Sequence, residues 1–254
     1  MKNLIEKKIL IQSSTGSNLH GILYLHGEES KKQSILMICH GFTGDKDEWG
    51  RFPKLTKSLN KEKINALTFD FTGSGENERV PITLSKQIQD VESVYEWVKN
   101  EGYEGIAVLG LSFGGRTILG ANLPGIRAYV FWAPAIFVQS SEDQRDWFKD
   151  LDKGPVKIPS SGKGEPIIID LSFVTEFAKL RVKPLLKNLE LPTLIVQGTS
   201  DESVPLELTR KAFQLLPKDE NHELIEIQNA THDFEGRHLT KFIKNTVMWL
   251  KKYI

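Results

Sequence analysis

The sequence predicts an α/β protein, a mostly parallel eight-stranded sheet with helices on both faces and an inserted cap. Three observations lead there. Short apolar runs without clean alternation recur along the chain, helical periodicity fills most gaps between them, and one gap is too long for a crossover.

Lys8–Ser13 and Leu19–Leu25 flank the turn cluster Ser14-Thr15-Gly16-Ser17-Asn18 and read as an opening antiparallel hairpin. Ile35–Cys39, Asn65–Phe69, Ile106–Leu109, Ala128–Trp132, Thr193–Gln197 and Leu224–Ile227 follow, brief and rich in branched or aromatic residues. Strands covered on both faces look like this. Between Thr83 and Asn100 the residues Leu84, Ile88, Val91, Val94, Tyr95 and Val98 recur at spacings of three and four, one buried helical stripe. Thr83 suits its N-cap and Gly102 its exit. Gly114–Leu123, Leu206–Leu216 and Leu239–Lys251 supply further helices. The rhythm breaks from Ile136 to Glu190, about 55 residues between two core strands. Ile167–Ile169 reads there as a short strand and Ser172–Asn188 as a helix. The expected organisation is a core from 1–135 and 191–254, with 136–190 as the cap.

Composition narrows the classes of function. The chain has 254 residues, 39% hydrophobic and 26% charged, a profile that one globular core accommodates. Its 33 basic and 33 acidic residues cancel, leaving no long-range field for a polyanion. No basic tract carries interleaved aromatics, so nucleic acid is not an expected partner. The single cysteine, Cys39, cannot close an intramolecular disulfide and reads as a small buried residue at a strand end. No segment approaches the roughly 20 apolar residues of a membrane span, and Met1 to Ile11 lacks the apolar stretch of a signal peptide. A cytoplasmic protein is the expectation.

Gly110-Leu111-Ser112-Phe113-Gly114 fits the pattern G-x-S-x-G. Chance alone would put that pattern in about one chain of this length in ten, so its surroundings decide. A buried strand precedes it and a helical stretch, Gly115–Gly120, follows. Such a turn strains the serine backbone and presents its hydroxyl at the carboxyl end of the sheet. A serine hydroxyl is a poor nucleophile at neutral pH and needs a base. His232 lies just past the last expected strand, at the same sheet edge; His20, His26, His222 and His238 belong to other places in the fold. The base needs an acid to hold its tautomer. Asp201, in the loop after Thr193–Gln197, is the candidate, with Glu202 the neighbouring alternative. An oxyanion needs donors arranged in advance. The N–H of Phe113 is one, and Phe42 in His40-Gly41-Phe42-Thr43-Gly44 supplies the second, with His40 shaping the loop.

These residues resemble the α/β-hydrolase superfamily, and more narrowly its small feruloyl/cinnamoyl-type acyl esterases. The order Ser112, Asp201, His232 matches that superfamily. His40–Gly44 is similar to its H-G-F-T-G segment, Asp201-Glu202-Ser203-Val204-Pro205 to its D-E-x-V-P segment, and Thr231-His232 to its T-H. Asp70-Phe71-Thr72-Gly73-Ser74-Gly75 resembles a D-x-x-G-x-G turn of structural role, with Ser74 in place of a frequent histidine and Asn77 in place of a serine. The resemblance implies a serine carboxylesterase acting through an acyl-enzyme on small acyl or hydroxycinnamoyl esters.

Other readings use the same residues. A proline-type serine aminopeptidase would need an acidic subsite, for which Asp143, Asp146 or Asp170 is available; a monoacylglycerol lipase would draw on Trp147, Phe148, Phe173 and Phe177. Thioester hydrolysis and acyl transfer stay open, whereas Ser112 counts against enzymes with a cysteine or aspartate nucleophile. A non-catalytic binding protein on the same fold is the reading from another class. Phe137, Trp147, Ile169 and Phe173 are candidate substrate-binding residues, although cap aromatics also build a cap's own core. The expected partner is a small-molecule ester, a homodimer is allowed, and the chemistry calls for no metal or organic cofactor.

Overall fold

The computed structural model describes residues 4–27, 34–137, 148–162 and 164–254. Its strands are Ile5–Gln12 (β1), Asn18–Leu25 (β2), Ile35–Cys39 (β3), Asn65–Phe69 (β4), Ile106–Leu111 (β5), Ala128–Trp132 (β6), Val156–Ile158 (β7), Ile167–Ile169 (β8), Thr193–Gly198 (β9) and His222–Ile227 (β10). Eight of them form one sheet in the order β1-β2-β4-β3-β5-β6-β9-β10. β1 and β2 pair antiparallel, as do β2 and β4, and every pair from β4 onward is parallel.

The apolar runs are explained by burial on both faces. Along β3, Ile35, Met37 and Cys39 enter one core while Leu36 and Ile38 enter the other. β5 divides likewise, with Ile106 and Val108 on one face and Ala107, Leu109 and Leu111 on the opposite one. The first core is covered by Leu84–Asn100 (α2), Phe113–Gly120 (α3), Val182–Lys187 (α5) and Leu206–Phe213 (α6). Arg51–Lys61 (α1) and Gly236–Leu250 (α7) cover the second. Thr83 caps α2 by accepting from the Lys86 N–H at 3.2 Å.

β3 continues to β4 on one side of it, and β5 continues to β6 on the other. The carboxyl ends of β3 and β5 therefore flank a topological switch point, where open α/β sheets bind ligands.

Three elements differ from expectation: α1, the helix expected over Ser172–Asn188, and β7, which is not among the expected strands. α1 is not among the helices expected from the sequence, although Phe52, Leu55 and Leu59 are all buried along it. Pro53 falls in its first turn, where a missing N–H costs nothing. The single helix expected over Ser172–Asn188 is two, Leu171–Lys179 (α4) and α5, separated by extended backbone at Leu180. A continuous helix would drive the Pro184 ring against the Leu180 carbonyl. That carbonyl instead accepts from Val182 N–H. The remainder of the segment between β6 and β9 contributes β7 and β8, a two-stranded antiparallel sheet. Among the described residues no helix is long and apolar enough to cross a membrane.

A buried carboxylate joins the first hairpin to α2. Asp90 accepts from Ser13 Oγ at 2.6 Å, Thr72 N–H at 2.7 Å and Thr72 Oγ at 2.9 Å. Burial outweighs these donors and pushes its carboxyl up to about 6 from 3.8. An acid raised on folding adds stability below its unfolded value and loses that contribution as pH rises through the folded one. Urea unfolding of wild type and Asp90→Asn should show the stability of wild type relative to the variant falling between pH 3.8 and about 6. A difference that stays constant over that window would contradict the assignment.

Candidate active site

Ser112 alone turns the chain from β5 into α3, at φ 51° and ψ −116°. This lies outside the allowed regions for a residue with a side chain and costs on the order of 1–3 kcal/mol. Surrounding bonds hold it there. Its N–H donates to Trp132 O at 2.8 Å, and its carbonyl accepts from Gly115 N–H at 3.0 Å and Ala135 N–H at 2.9 Å. The flanking glycines are steric necessities. A Cβ on Gly110 would stand 2.5 Å from Gly114 O, and one on Gly114 would stand 2.4 Å from His40 O.

His232 sits in the loop between β10 and α7. Its Nε2 is 3.1 Å from Ser112 Oγ and its Nδ1 is 2.8 Å from Asp201 Oδ2. An ionised carboxylate only accepts, so the ring proton belongs on Nδ1 and Nε2 is left to accept from the hydroxyl. Two residues later Phe234 stacks on Phe242 at 4.0 Å and meets Trp132 edge-on at 5.6 Å, anchoring the loop. The Asp201 side chain is completely buried. Its Oδ1 accepts from Val204 N–H at 2.7 Å, and its Oδ2 accepts from Gln197 Nε2 at 2.9 Å. Gln197 is itself held by Thr209 Oγ, which donates to its Oε1 at 2.9 Å. Glu202, the alternative acid, is exposed.

The loop after β3 passes close to the serine, since a Cβ on Gly41 would lie 3.4 Å from Ser112 Cβ. The Gly41 carbonyl is bonded to His40 Nδ1 at 2.8 Å and accepts from Gly44 N–H at 3.2 Å. A trans peptide points its N–H opposite its carbonyl, so these bonds also aim the Phe42 N–H. His40 Nε2 accepts from Phe71 N–H at 3.1 Å. Both its nitrogens are thus occupied in shaping the loop. Phe113 opens α3, so its N–H belongs to the first turn and has no partner within the helix.

Sequence reasoning passed over Glu48, which is buried beneath this loop and accepts from Gly41 N–H at 2.8 Å. Burial pushes its carboxyl above the usual range, opposed by Arg51, His40 and the Gly41 N–H. Arg51 is buried as well, 3.6 Å from the Glu48 carboxylate and 3.9 Å from Asp233. The D-x-x-G-x-G turn is a separate structural knot. Asp70 accepts from the Lys46 N–H at 2.7 Å and from its Nζ at 2.5 Å, and Asn77 donates to the Asp70 carbonyl at 2.7 Å.

The segment between β6 and β9 covers both loops. Ser161 N–H donates to Thr43 O at 3.0 Å, and Ser160 Oγ bonds the same oxygen at 3.0 Å. Phe173 stacks on Phe42 at 5.1 Å and on Phe113 at 5.4 Å. Of the residues expected to line a pocket, Ile169 is 0% and Phe173 5% exposed within a small core shared with Phe113. Ile169 therefore presents no free face, and Phe173 only an edge. Phe137 packs on the main core, with Lys211 Nζ 5.2 Å from its ring. Trp147, Asp143 and Asp146 lie outside the described residues. Asp170 caps α4 by accepting from Ser172 N–H at 2.9 Å.

Arg116, also unforeseen, ties α3 to this segment. It donates to the carbonyls of Ile136, Phe177 and Leu180 and lies 3.7 Å over the Phe177 ring. Burial lowers its pKa to about 10. Among the described residues no cluster of three or more His, Cys, Asp or Glu could hold a metal ion.

The family model described as the alpha/beta hydrolase family matches residues 35–241, from β3 into α7. The chain belongs to that family. Est1E from Butyrivibrio proteoclasticus, solved with ferulic acid bound, is 21% identical and superposes with a TM-score of 0.77 over 96% of this chain and 98% of its own. The Pyrococcus furiosus esterase Pf2001 is 19% identical, with a TM-score of 0.74 over 98% of this chain and 93% of its own. A Salmonella typhimurium protein, YfhR, is 23% identical over 91% of this chain and 77% of its own length. At these identities the solved structures establish likeness of fold.

The turn at Ser112 leaves no room for a methyl group. Gly114→Ala should destabilise the protein by about 2–3 kcal/mol, a typical cost of overpacking. Chemical denaturation measures this, and a loss under 0.5 kcal/mol would be inconsistent with the contacts at His40.

Proposed function

We propose that this alpha/beta hydrolase is a serine carboxylesterase, with Ser112 as nucleophile, His232 as general base and Asp201 as the acid that orients it. One observation carries the reading. The Ser112 hydroxyl, His232 imidazole and Asp201 carboxylate form a continuous hydrogen-bonded chain of 3.1 Å and 2.8 Å links, with the serine in a strained strand-to-helix turn. A buried carboxylate, itself bonded to three donors, is what an imidazole needs to keep its tautomer and to carry a transient positive charge.

The chemistry is a two-step acyl transfer. His232 takes the Ser112 proton as the oxygen attacks the ester carbonyl, and the N–H groups of Phe42 and Phe113 receive the oxyanion. The protonated imidazole then gives its proton to the leaving alcohol. Water, deprotonated by the same imidazole, releases the acid and restores the serine. Residues 136–190 act as a cap on the core made by 1–135 and 191–254. Phe173, which exposes an edge beside Phe42 and Phe113, is the residue we assign to the substrate side of that cap.

The substrate class is small acyl or hydroxycinnamoyl esters. The likeness to Est1E, with its bound ferulic acid, supports including the latter. So does the cluster of Phe42, Phe113 and Phe173 next to the serine in the chain and across its loop, since ring edges suit contact with a planar aromatic acyl group.

A panel of p-nitrophenyl esters of increasing chain length, assayed beside methyl hydroxycinnamates, tests this. Ser112→Ala should lower turnover by at least about 1,000-fold with the fold intact. A fluorophosphonate should label wild type at Ser112 and fail to label His232→Ala. Near-native turnover by Ser112→Ala, or no hydrolysis of any ester by wild type, overturns the proposal.

A further inference from the structure

Glu48 is held where sequence statistics would not put a carboxylate. It is 6% exposed, it has φ 44°, and it is followed by Trp49 at φ 54° and Gly50 at φ 81°. Left-handed backbone costs a residue with a side chain roughly 1–2 kcal/mol. Two such residues in succession, together with a buried charge, need a structural return. The consequence is visible in geometry. The turn sends the indole of Trp49 outward and the carboxylate of Glu48 inward beneath the His40–Gly44 loop.

There the carboxylate fits a space that the loop leaves open. A Cβ on Gly44 would lie 2.2 Å from Glu48 Oε1, and one on Gly41 would meet Glu48 Oε1 at 3.5 Å and Ser112 Cβ at 3.4 Å. Gly41 is thus sandwiched between the carboxylate and the serine. Its N–H donates to Glu48 and its carbonyl is taken by His40 and Gly44. With both peptides of Gly41 fixed, the next N–H, that of Phe42, has one direction available. The other carboxylate oxygen faces Arg51, whose guanidinium lies 3.9 Å from Asp233 and 5.1 Å over the Phe234 ring. Those two residues follow His232 directly. One carboxylate therefore bears on the oxyanion loop at one oxygen and, through Arg51, on the loop of the base at the other.

We infer that Glu48 is a positioning residue for the oxyanion site, orienting the Phe42 N–H through its bond to Gly41 while Arg51 neutralises its charge and braces the His232 loop. The inference rests on the serine-esterase reading. Gly41 stands between Glu48 and Ser112, so the effect of Glu48 belongs in the transition state rather than in substrate binding. The neutralising arginine matters for the same reason. An unpaired anion beside an oxyanion site would oppose the charge that develops there, and the guanidinium offsets it.

Two variants and two readouts test the proposal on the full chain. Glu48→Gln keeps an oxygen acceptor for the Gly41 N–H. The pair Glu48→Met with Arg51→Met fills both volumes with apolar atoms and leaves no buried unpaired charge, an exchange that buried ion pairs often tolerate. The rate is measured on p-nitrophenyl acetate and normalised to the sites that a fluorophosphonate titrates. Affinity is measured for an alkyl boronic acid, whose tetrahedral adduct on serine places an oxygen among the oxyanion donors. The Met pair should fold and bind substrate with KM within about threefold of wild type. Its kcat and its boronate affinity should both fall by about 100-fold, the scale of losing one oxyanion donor. Glu48→Gln should retain kcat within about threefold.

A folded Met pair with kcat within threefold of wild type overturns the inference and leaves the esterase reading intact. So does a Glu48→Gln that loses as much as the Met pair, because the acceptor would then not be what matters. Wild type that hydrolyses no ester and takes up no fluorophosphonate removes the esterase reading, and this inference with it.

Discussion

Ser112 must turn the chain from a strand buried on both faces into a helix within one residue, and much of the neighbouring structure exists to make that turn tolerable. The backbone angles there are unfavourable for any residue with a side chain. They persist because three backbone hydrogen bonds, to β6, to the segment just after it and to α3, fix the serine from both sides, and because glycines at 110 and 114 let helix, strand and the β3 loop approach at distances no Cβ would permit. The hydroxyl is consequently rigid, raised from the sheet, and beside a helix N-terminus. A loosely held serine would have none of these properties.

Around that turn the other groups arrive on loops, and each loop is tethered by buried side chains, most of them polar. Asp201 is held by Gln197 and by the Val204 N–H. The His232 loop is anchored by the Phe234, Phe242 and Trp132 cluster. The His40–Gly44 loop is bonded to Glu48 from below, to Phe71 through His40, and to Ser160 and Ser161 from above. Buried polar groups of this kind are costly unless satisfied, and satisfied ones rigidify what they touch. Arg116 extends the same logic to the segment after β6, whose carbonyls it gathers against α3.

The strands were legible because burial on both faces leaves little freedom of composition, so β3, β4 and β6 could be bounded to the residue. α1 was harder to see, since Pro53 and the polar residues around it obscure a stripe of only Phe52, Leu55 and Leu59. The break at Leu180 is written in Pro184, but its position depends on which carbonyl the ring would strike. For the candidate site, Ser112, Asp201 and His232 could be nominated because each follows a strand. Glu48, Arg51 and Gln197 could not. Glu48 and Arg51 sit in a polar stretch, where charged side chains are normally solvated, and Gln197, although it ends an expected buried strand, carries no local sign that its amide bonds Asp201.

The sequence by itself determined the layered α/β architecture and the serine-bearing turn, because both are imposed locally, by two-faced apolar runs and by glycines flanking a strand-to-helix junction. Only the tertiary structure decided how residues far apart in the chain meet. The Nε2 of His232 reaches Ser112 across 120 positions, and Gln197 bonds Asp201 behind it. The segment after β6 folds its aromatic residues onto Phe42 and Phe113. Such contacts depend on strand order and loop packing, which no single stretch of residues encodes. Ser112 therefore has a local cause for its strained backbone and a non-local cause for every side chain that surrounds it.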